Sequence, residues 1–515
     1  MGTPALPSPA TRTLDSRRWL ALVFIALAQL MVALDATIVN IALPSAQRAL
    51  GGSDGQRQWV ITAYTLAFAG LLLLGGRIAD YAGRKRTFLM GLAGFAAASA
   101  LGGAAPNLGT LVGARTLQGA FAALLTPTAL SLLAVSFTDA RERAKAFAVY
   151  GAIAGSGGAL GLILGGALTQ SLSWRWCLYV NLPVAVVAAL GGSALLADVR
   201  GSRSGRFDVP GVALAVGALV TLVDACTLAV SDGWGARSVI AMLATSSVLL
   251  ALFLLRESSA TEPLLPLRIL RDRNRAGAYL AVAGAVGAMY GSFLLLTYDF
   301  QVVLGYSPLR AGLAFLPLSA MVFVSSGAIA SRLLPHVPPR ALMVPGLLVA
   351  AAGMLVLTRL TVDASYVVHI LPAEILLGLG MGCVFVPAFN VATQAVNPRE
   401  AGVASAMVNT AQQVGGSIGT ALLNTIAAGA TSSYLVSHAP GASTRVQALV
   451  HGYSAATGWG AGILAAAAVL AGLLVTAGRP VARTGAPRAA GPDDGRRPSS
   501  RTSDMVEPSM SRQGA

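Results

Sequence analysis

Three ionisable residues stand inside long apolar runs, where they are best placed to do chemistry: Asp35, Arg115 and Glu374. A charged side chain at the centre of a membrane helix costs on the order of 3 kcal/mol to insert, so each needs a partner or an aqueous cavity. Asp35 lies nine residues before Pro44, Arg115 eight after Asn107 and Glu374 nine after Ser365, and these three markers read as outer ends of apolar spans. At 1.5 Å per residue the three share a level about 13 Å below the outer surface, which is compatible with one cavity. A carboxylate held between a neighbouring guanidinium and the cost of burial is poised by its access to water. Asp35 can release a proton when a cationic substrate enters and expel the substrate when it regains one, with Arg115 tuning it. The alternative is a static ion pair joining two helices. For Glu374 the readings are a second proton site, a counter-charge for cationic substrates, or a polar residue facing the lumen with no part in turnover.

The elements that must position these residues follow from composition. The 515 residues are 55% hydrophobic and 11% charged, with a mean hydropathy of +0.69, more apolar surface than a soluble chain of this length can hide. About 20 apolar residues cross a bilayer. On that ruler fourteen spans fall near 19–43, 59–79, 87–104, 107–135, 145–170, 176–197, 209–230, 237–255, 276–303, 312–333, 341–358, 365–395, 402–430 and 457–477. The first follows Arg12, Arg17 and Arg18 but is long and contains Asp35, so it reads as a retained helix and not a signal peptide. With the amino terminus inside, 28 of the 36 Lys and Arg residues face the cytoplasm, seven face outward and Arg115 lies within a span. This asymmetry puts both termini in the cytoplasm. The fold class is thus an all-α integral membrane protein with fourteen transmembrane helices. The charge of +15 reflects loop topology and an Arg-rich tail, and no nucleic-acid partner is implied.

An internal repeat organises the spans. Arg141, Glu142, Gly157, Gly158 and Gly161 recur as Arg399, Glu400, Gly415, Gly416 and Gly419, all at an offset of 258 residues. Both copies run the same way through the membrane, as parallel halves do. Two six-helix halves alone need an offset nearer 200, on the order of six spans with their loops, and the surplus matches spans 7 and 8. The expected organisation is a cytoplasmic segment 1–18, a six-helix half 19–200, an inserted hairpin 201–260, a second six-helix half 261–477 and a disordered basic cytoplasmic tail 478–515. The hairpin is expected outside the two halves, 256–275 to be a basic cytoplasmic loop, and 432–456 to be the longest outer loop.

Other residues carry less chemistry. Gly76, Asp80, Gly83, Arg84, Lys85 and Arg86 form a short charged turn between spans 2 and 3. It serves as a gating latch, with Asp80 bonding to backbone donors or Arg84, or else as a topology anchor alone. Asn40, Gln118, Asn390, Asn409, Gln412 and Gln413 are candidates to line a cavity or to bond helix to helix. Phe121, Tyr150, Tyr290, Phe293, Tyr298, Phe385 and Phe389 suit either a lipophilic pocket or ordinary packing. Asp299 is expected at the membrane interface, and Asp224 lies in the inserted hairpin. Cys177, Cys226 and Cys383 read as buried thiols. His336, His369, His438 and His451 lack ligand spacing. No metal site, Walker phosphate loop or catalytic residue is indicated, and no cofactor.

These residues also carry a family resemblance. Leu34 to Pro44 resembles the helix-1 signature of the fourteen-helix drug:proton antiporters of the major facilitator superfamily, and Gly76 to Arg86 resembles the loop 2–3 motif of the whole superfamily. Arg115-Thr116-Leu117-Gln118-Gly119 resembles the helix-4 motif associated with proton coupling. Gly151, Gly155, Gly157, Gly161, Gly165 and Gly166 follow the helix-5 antiporter motif, and Trp174-Arg175-Trp176 with Asn181 and Pro183 resembles the opening of helix 6. In exporters the helix-5 motif usually has a proline where Leu162 stands here. A proline there kinks the helix, whereas glycines still permit close contact.

The resemblance implies a major facilitator fold and proton-coupled efflux of lipophilic, often cationic drugs or antibiotics by alternating access. The implied setting is a multi-pass monomer in the bacterial inner membrane, with small-molecule substrate, protons and lipid as its partners. A transporter of one metabolite or lipid precursor, or a nutrient importer, is the alternative.

Overall fold

The apolar runs fold as helices because a chain surrounded by hydrocarbon must satisfy its backbone groups internally. The computed structural model describes residues 9–52, 54–137, 139–196, 208–260, 268, 271–393, 401–439 and 441–478. Among them every regular element is helical: α1 (Pro9–Leu50), α2 (Asp54–Ala82), α3 (Arg84–Gly103), α4 (Leu108–Ser136), α5 (Ala140–Ser171), α6 (Trp176–Leu195, bent at Val180), α7 (Val209–Asp232), α8 (Arg237–Ser259), α9 (Arg273–Val303), α10 (Pro308–Leu333), α11 (Arg340–Leu357), α12 (Tyr366–Thr393), α13 (Ala401–Ser437) and α14 (Ala442–Leu474). Ten of these are long and apolar enough to cross a membrane by length and composition: all except α2, α3, α5 and α13. The expected tail, apart from Gly478, lies outside the described residues, as do residues 261–267, 269 and 270 of the 256–275 connection.

Side-chain caps fix several starts. Asn107 accepts from the Thr110 amide at 2.9 Å ahead of α4, and Asp272 accepts from the amides of Asn274 and Arg275 ahead of α9, satisfying amides that have no intrahelical partner. The charged turn between α2 and α3 is tighter than its sequence suggests. Gly76 belongs to α2 and Arg84 already to α3. Gly83 makes the break, with φ of 91°, a conformation that costs glycine nothing. The side chain of Asp80 lies outside the described residues. The long outer loop expected at 432–456 is absent, because α13 runs to Ser437 and α14 starts at Ala442.

Packing repeats itself. In the first six helices α1 packs on α5 and α6, α2 on α4, and α3 on α4 and α6; the same pairings hold when eight is added to every number, giving α9 on α13 and α14, α10 on α12, and α11 on α12 and α14. Glycines allow the closest crossings: at Gly419 a side chain would collide with the backbone of Gly287, and at Gly119 with the carbonyl of Tyr64. The two sets meet where α1 ends and α2 begins. There Tyr298 donates to Gln47 at 2.6 Å, Gln301 to the Ile41 carbonyl at 3.0 Å, Arg57 to Asn424 at 3.0 Å and Asn424 to Gln58 at 2.8 Å. Deeper in, Thr65 and Ser417 share a hydrogen bond.

The α7–α8 hairpin does not stand apart from the two sets. Val223 and Cys226 of α7 pack with Leu66 of α2 and Ala421 of α13, Val216 lies over Gly70, and Thr425 donates to the Cys226 carbonyl at 2.9 Å. It covers the seam between α2 and α13.

Candidate functional site

Asp35 is wholly buried and joined by an ion pair to Arg115, which is 2% exposed. The carboxylate Oδ2 accepts from Arg115 Nη1, and Oδ1 accepts from Gln118 Nε2 at 3.0 Å and Asn181 Nδ2 at 2.9 Å. Arg115 also donates through Nε to the Val60 carbonyl at 3.2 Å and through Nη1 to Gln118 Oε1 at 3.0 Å, and its guanidinium lies 4.3 Å from the centre of the Tyr64 ring. Ser99 Oγ accepts from Gln118 and Asn181, at 2.6 and 3.2 Å. Five helices, α1, α2, α3, α4 and α6, thus converge on one neutral pair. Buried ions survive only when their remaining donors and acceptors are also engaged.

Local sequence explains the convergence. Arg115 and Gln118 are three apart on α4 and share a face. Gly119, turned to α2, lets the Val60 carbonyl and the Tyr64 ring come within reach of the guanidinium. On the other side of α1, a side chain at Gly157 would meet Ala33, at Gly161 Leu34 and Thr37, and at Gly165 the Ile38 carbonyl. The helix-5 glycines therefore form a smooth bed for the turn of α1 that carries Asp35, and Thr37 donates across it to the Gly158 carbonyl at 3.1 Å. Gly166 faces Pro308 and Leu309 of α10 instead. Leu162 leaves α5 unbroken from Ala140 to Ser171.

Pro44 does not end the first helix. α1 continues to Leu50, so Asp35 lies fifteen residues before its end while Arg115 lies eight beyond the Asn107 cap. They still meet, because α1 extends past the α4 cap. Glu374 does not join them. It is wholly buried on α12, with Oε2 3.2 Å from the Tyr366 hydroxyl, within a cluster of aromatic rings: Phe293, Phe300, Tyr306, Phe315 and Tyr366. Asp299 lies near the end of α9, as its sequence position suggests, and is 3% exposed in the π-helical turn that closes that helix.

Gln118 serves the ion pair. Asn40 is 8% exposed and bonds back to the Ala36 carbonyl at 3.5 Å. Asn390, Asn409, Gln412 and Gln413 are half-buried on α12 and α13. Arg84 and Lys85 are half-buried and Arg86 is exposed at the start of α3. Cys177 and Cys226 are buried and Cys383 half-buried. Sequence reasoning missed Ser99 and Tyr64, since a serine or tyrosine in an apolar run reads as packing, and it reached Asn181 only through the helix-6 resemblance.

Comparison with known proteins gives a consistent picture. Residues 25–420 match the model of the Major Facilitator Superfamily. The chain is 53% identical over 470 residues, 91% of its length and 93% of the relative's, to the puromycin resistance protein pur8 of Streptomyces alboniger. It is 38% identical to the cephamycin export protein CmcT of Amycolatopsis lactamdurans, covering 80% of this chain and 85% of that one. It is 33% identical to the multidrug efflux pump LfrA of Mycolicibacterium smegmatis, with coverage of 83% and 84%. The crystal structure of a bacterial homologue of the human lysosomal transporter Spinster, inward-facing and unoccupied, superposes with a TM-score of 0.65 at 16% identity over 89% of this chain and 97% of that one. The chain's relatives include an antibiotic resistance protein, an antibiotic export protein and a multidrug efflux pump, its helical bundle has the superfamily's fold, and it is a membrane transporter of the Major Facilitator Superfamily.

Proposed function

We propose that this chain is a proton-driven exporter of lipophilic, often cationic drugs or antibiotics, working by alternating access across the bacterial inner membrane. The observation that carries the reading is the Asp35–Arg115 pair, fully buried and held by Gln118 and Asn181 in an apolar bundle. A carboxylate with that much support can exist charged, yet it can be neutralised by a single proton, and Arg115 keeps its bonds to Val60 and Gln118 when the carboxylate is lost. A proton arriving at Asp35 cancels the ion pair, and the site becomes more positive by one charge. A cationic substrate is then repelled. Loss of the proton restores the pair and readmits the substrate.

In this reading fourteen helices cross the membrane, both termini are cytoplasmic, and residues 19–200 and 261–477 are two halves joined by the 201–260 hairpin. The end where α1 meets α2 then faces outward, and the contacts between the sets gather there, so the conformation is open toward the cytoplasm. Gly76, Asp80, Gly83, Arg84, Lys85 and Arg86 act as the latch that holds the cytoplasmic side when it closes. The chain works as a monomer without cofactor. Energetically one proton suffices: about 2.3 kcal/mol per 100 mV plus about 1.4 kcal/mol per pH unit sustains a several-hundredfold gradient of a neutral compound.

Puromycin is the first compound to test, given the name of the 53% identical relative. In everted vesicles energised by respiration, uptake of puromycin and of a fluorescent lipophilic cation should collapse with a protonophore and be lost in Asp35→Asn. Uptake that persists undiminished in both conditions would sink the reading.

A further inference from the structure

Glu374 stands in a cluster that the Asp35 network does not reach, and its geometry carries information about its proton. Tyr366 Oη lies 3.2 Å from Glu374 Oε2 and 2.8 Å from the carbonyl oxygen of Ala314 on α10. A phenol has one proton to give, and a carbonyl can only accept. The Tyr366 proton therefore goes to Ala314, the shorter contact. The contact to Glu374 is then a hydrogen bond only if Glu374 is protonated and donates to Tyr366 Oη. Glu374 Oε1 has no hydrogen-bond partner among the described residues, so ionisation in this arrangement would leave that oxygen charged and without a donor, which burial disfavours.

The elements packed around α12 bring few charges to this end. α9 contributes Tyr298 and the buried Asp299. The approach to α10 contributes Tyr306, with Arg310 3.9 Å from its ring centre. α11 has Arg340 at its far end, followed by the exposed Arg359 and Asp363 in its outgoing connection, and the Tyr434 ring of α13 stacks on His438. Tyr366 is the titratable group that touches the carboxyl.

Ala314 occupies a sensitive place. It ends the first piece of α10, Pro308–Ala314, and the helix resumes at Leu316 with Pro317 in its first turn. This short piece is the part of α10 that meets the other helix set. Gly312 is set close against the Leu162 carbonyl of α5, Leu309 lies against Gly166, and the Leu309 amide donates to Gln170 at 3.4 Å.

Resting on the exporter reading above, we propose that Glu374 is a second proton-binding site and that Tyr366 is the positioning residue that relays its proton state to the broken segment of α10, and through it to the contact with α5. When Glu374 gives its proton to water, the Tyr366 hydroxyl turns about its C–O bond and donates to the new carboxylate. Tyr366 keeps its proton throughout. Ala314 loses its donor, the Pro308–Ala314 segment is freed from α12, and the α5–α10 closure loosens. The described conformation is the protonated, closed arrangement at this contact.

The test is a distance measured without substrate or gradient. Cys177, Cys226 and Cys383 are replaced by Ala, spin labels are placed at the exposed positions Leu172→Cys beyond α5 and Leu313→Cys on α10, and the purified full chain is read in nanodiscs between about pH 5.5 and about pH 8.5. The parent should pass from a short to a long distance with rising pH, the ratio of populations changing up to about tenfold per pH unit around the midpoint, as one linked proton requires. Glu374→Gln, whose amide donates to Tyr366 permanently, should stay short throughout. Tyr366→Phe should show a less than twofold change across the range. The same series in an Asp35→Asn background removes any response of Asp35. A parent distance that ignores pH, or a Tyr366→Phe response equal to the parent's, would overturn the relay. Neither result touches vesicle transport, and a failure of proton-driven transport leaves the distances intact, so the two readings fail separately.

Discussion

Asp35 and Arg115 are worth more together than either is alone. Arg115→Ala leaves a buried carboxylate with only amide donors, and breaking such a pair from one side costs about 3–5 kcal/mol. The variant should lose folded yield and thermal stability, while Asp35→Asn with Arg115→Gln should recover most of it, as read by size-exclusion profiles after heating. Asn181→Leu removes one of the two neutral donors to Asp35 and one donor to Ser99; about 1–3 kcal/mol is at stake. It should destabilise less than Arg115→Ala in the same assay. The sequence makes Asp35, Arg115 and Glu374 conspicuous because charge inside an apolar run is costly wherever it falls. It pairs Asp35 with Arg115, but the count that set Glu374 at the same level rests on assumed helix ends and fails where α1 runs through Pro44. Ser99 and Tyr64 stay invisible for the opposite reason: neither is costly in a helix until a charge is placed beside it.

Helices were legible at the level of existence and less so at their ends. All fourteen expected spans coincide with helical segments among the described residues, because twenty apolar residues have few other options. The interruptions were not legible. α10 breaks at Phe315, and α12 opens with a π-helical turn at Tyr366–Ile370, features that depend on what packs beside them. The glycine repeat, by contrast, maps onto contacts in both sets. Gly157, Gly161 and Gly165 bed α1, and Gly415 and Gly419 bed α9. A side chain at Gly419 has the Gly287 backbone in its way, which cannot rotate aside. Gly419→Val should cost about 1–3 kcal/mol, measured as a lower melting temperature in detergent, whereas Gly429→Ala, which has open space around it, should be neutral.

At the scale of the molecule, the polar contacts between the sets form a cluster that must open if access alternates. Arg57, Gln58 and Asn424 are its buried centre. Asn424→Ala removes both bonds at once and should shift the population toward a state open at this end, by roughly tenfold for about 1.4 kcal/mol lost. Reactivity of a cysteine introduced at Gln47 toward a membrane-impermeant thiol reagent would report it; unchanged labelling would mean that these bonds do not hold the end closed. The hairpin acts at the same scale. Its apolar composition announced two extra helices, but nothing in it announced the groove it fills. α7 seals the line between α2 and α13, and among the described residues no element lies in the same way over α5 and α10. The bundle therefore has a sheathed flank and a bare one, although its two helix sets repeat each other. A hydrophobic compound drifting in the plane of the bilayer meets α7 on one flank and the α5–α10 contact itself on the other.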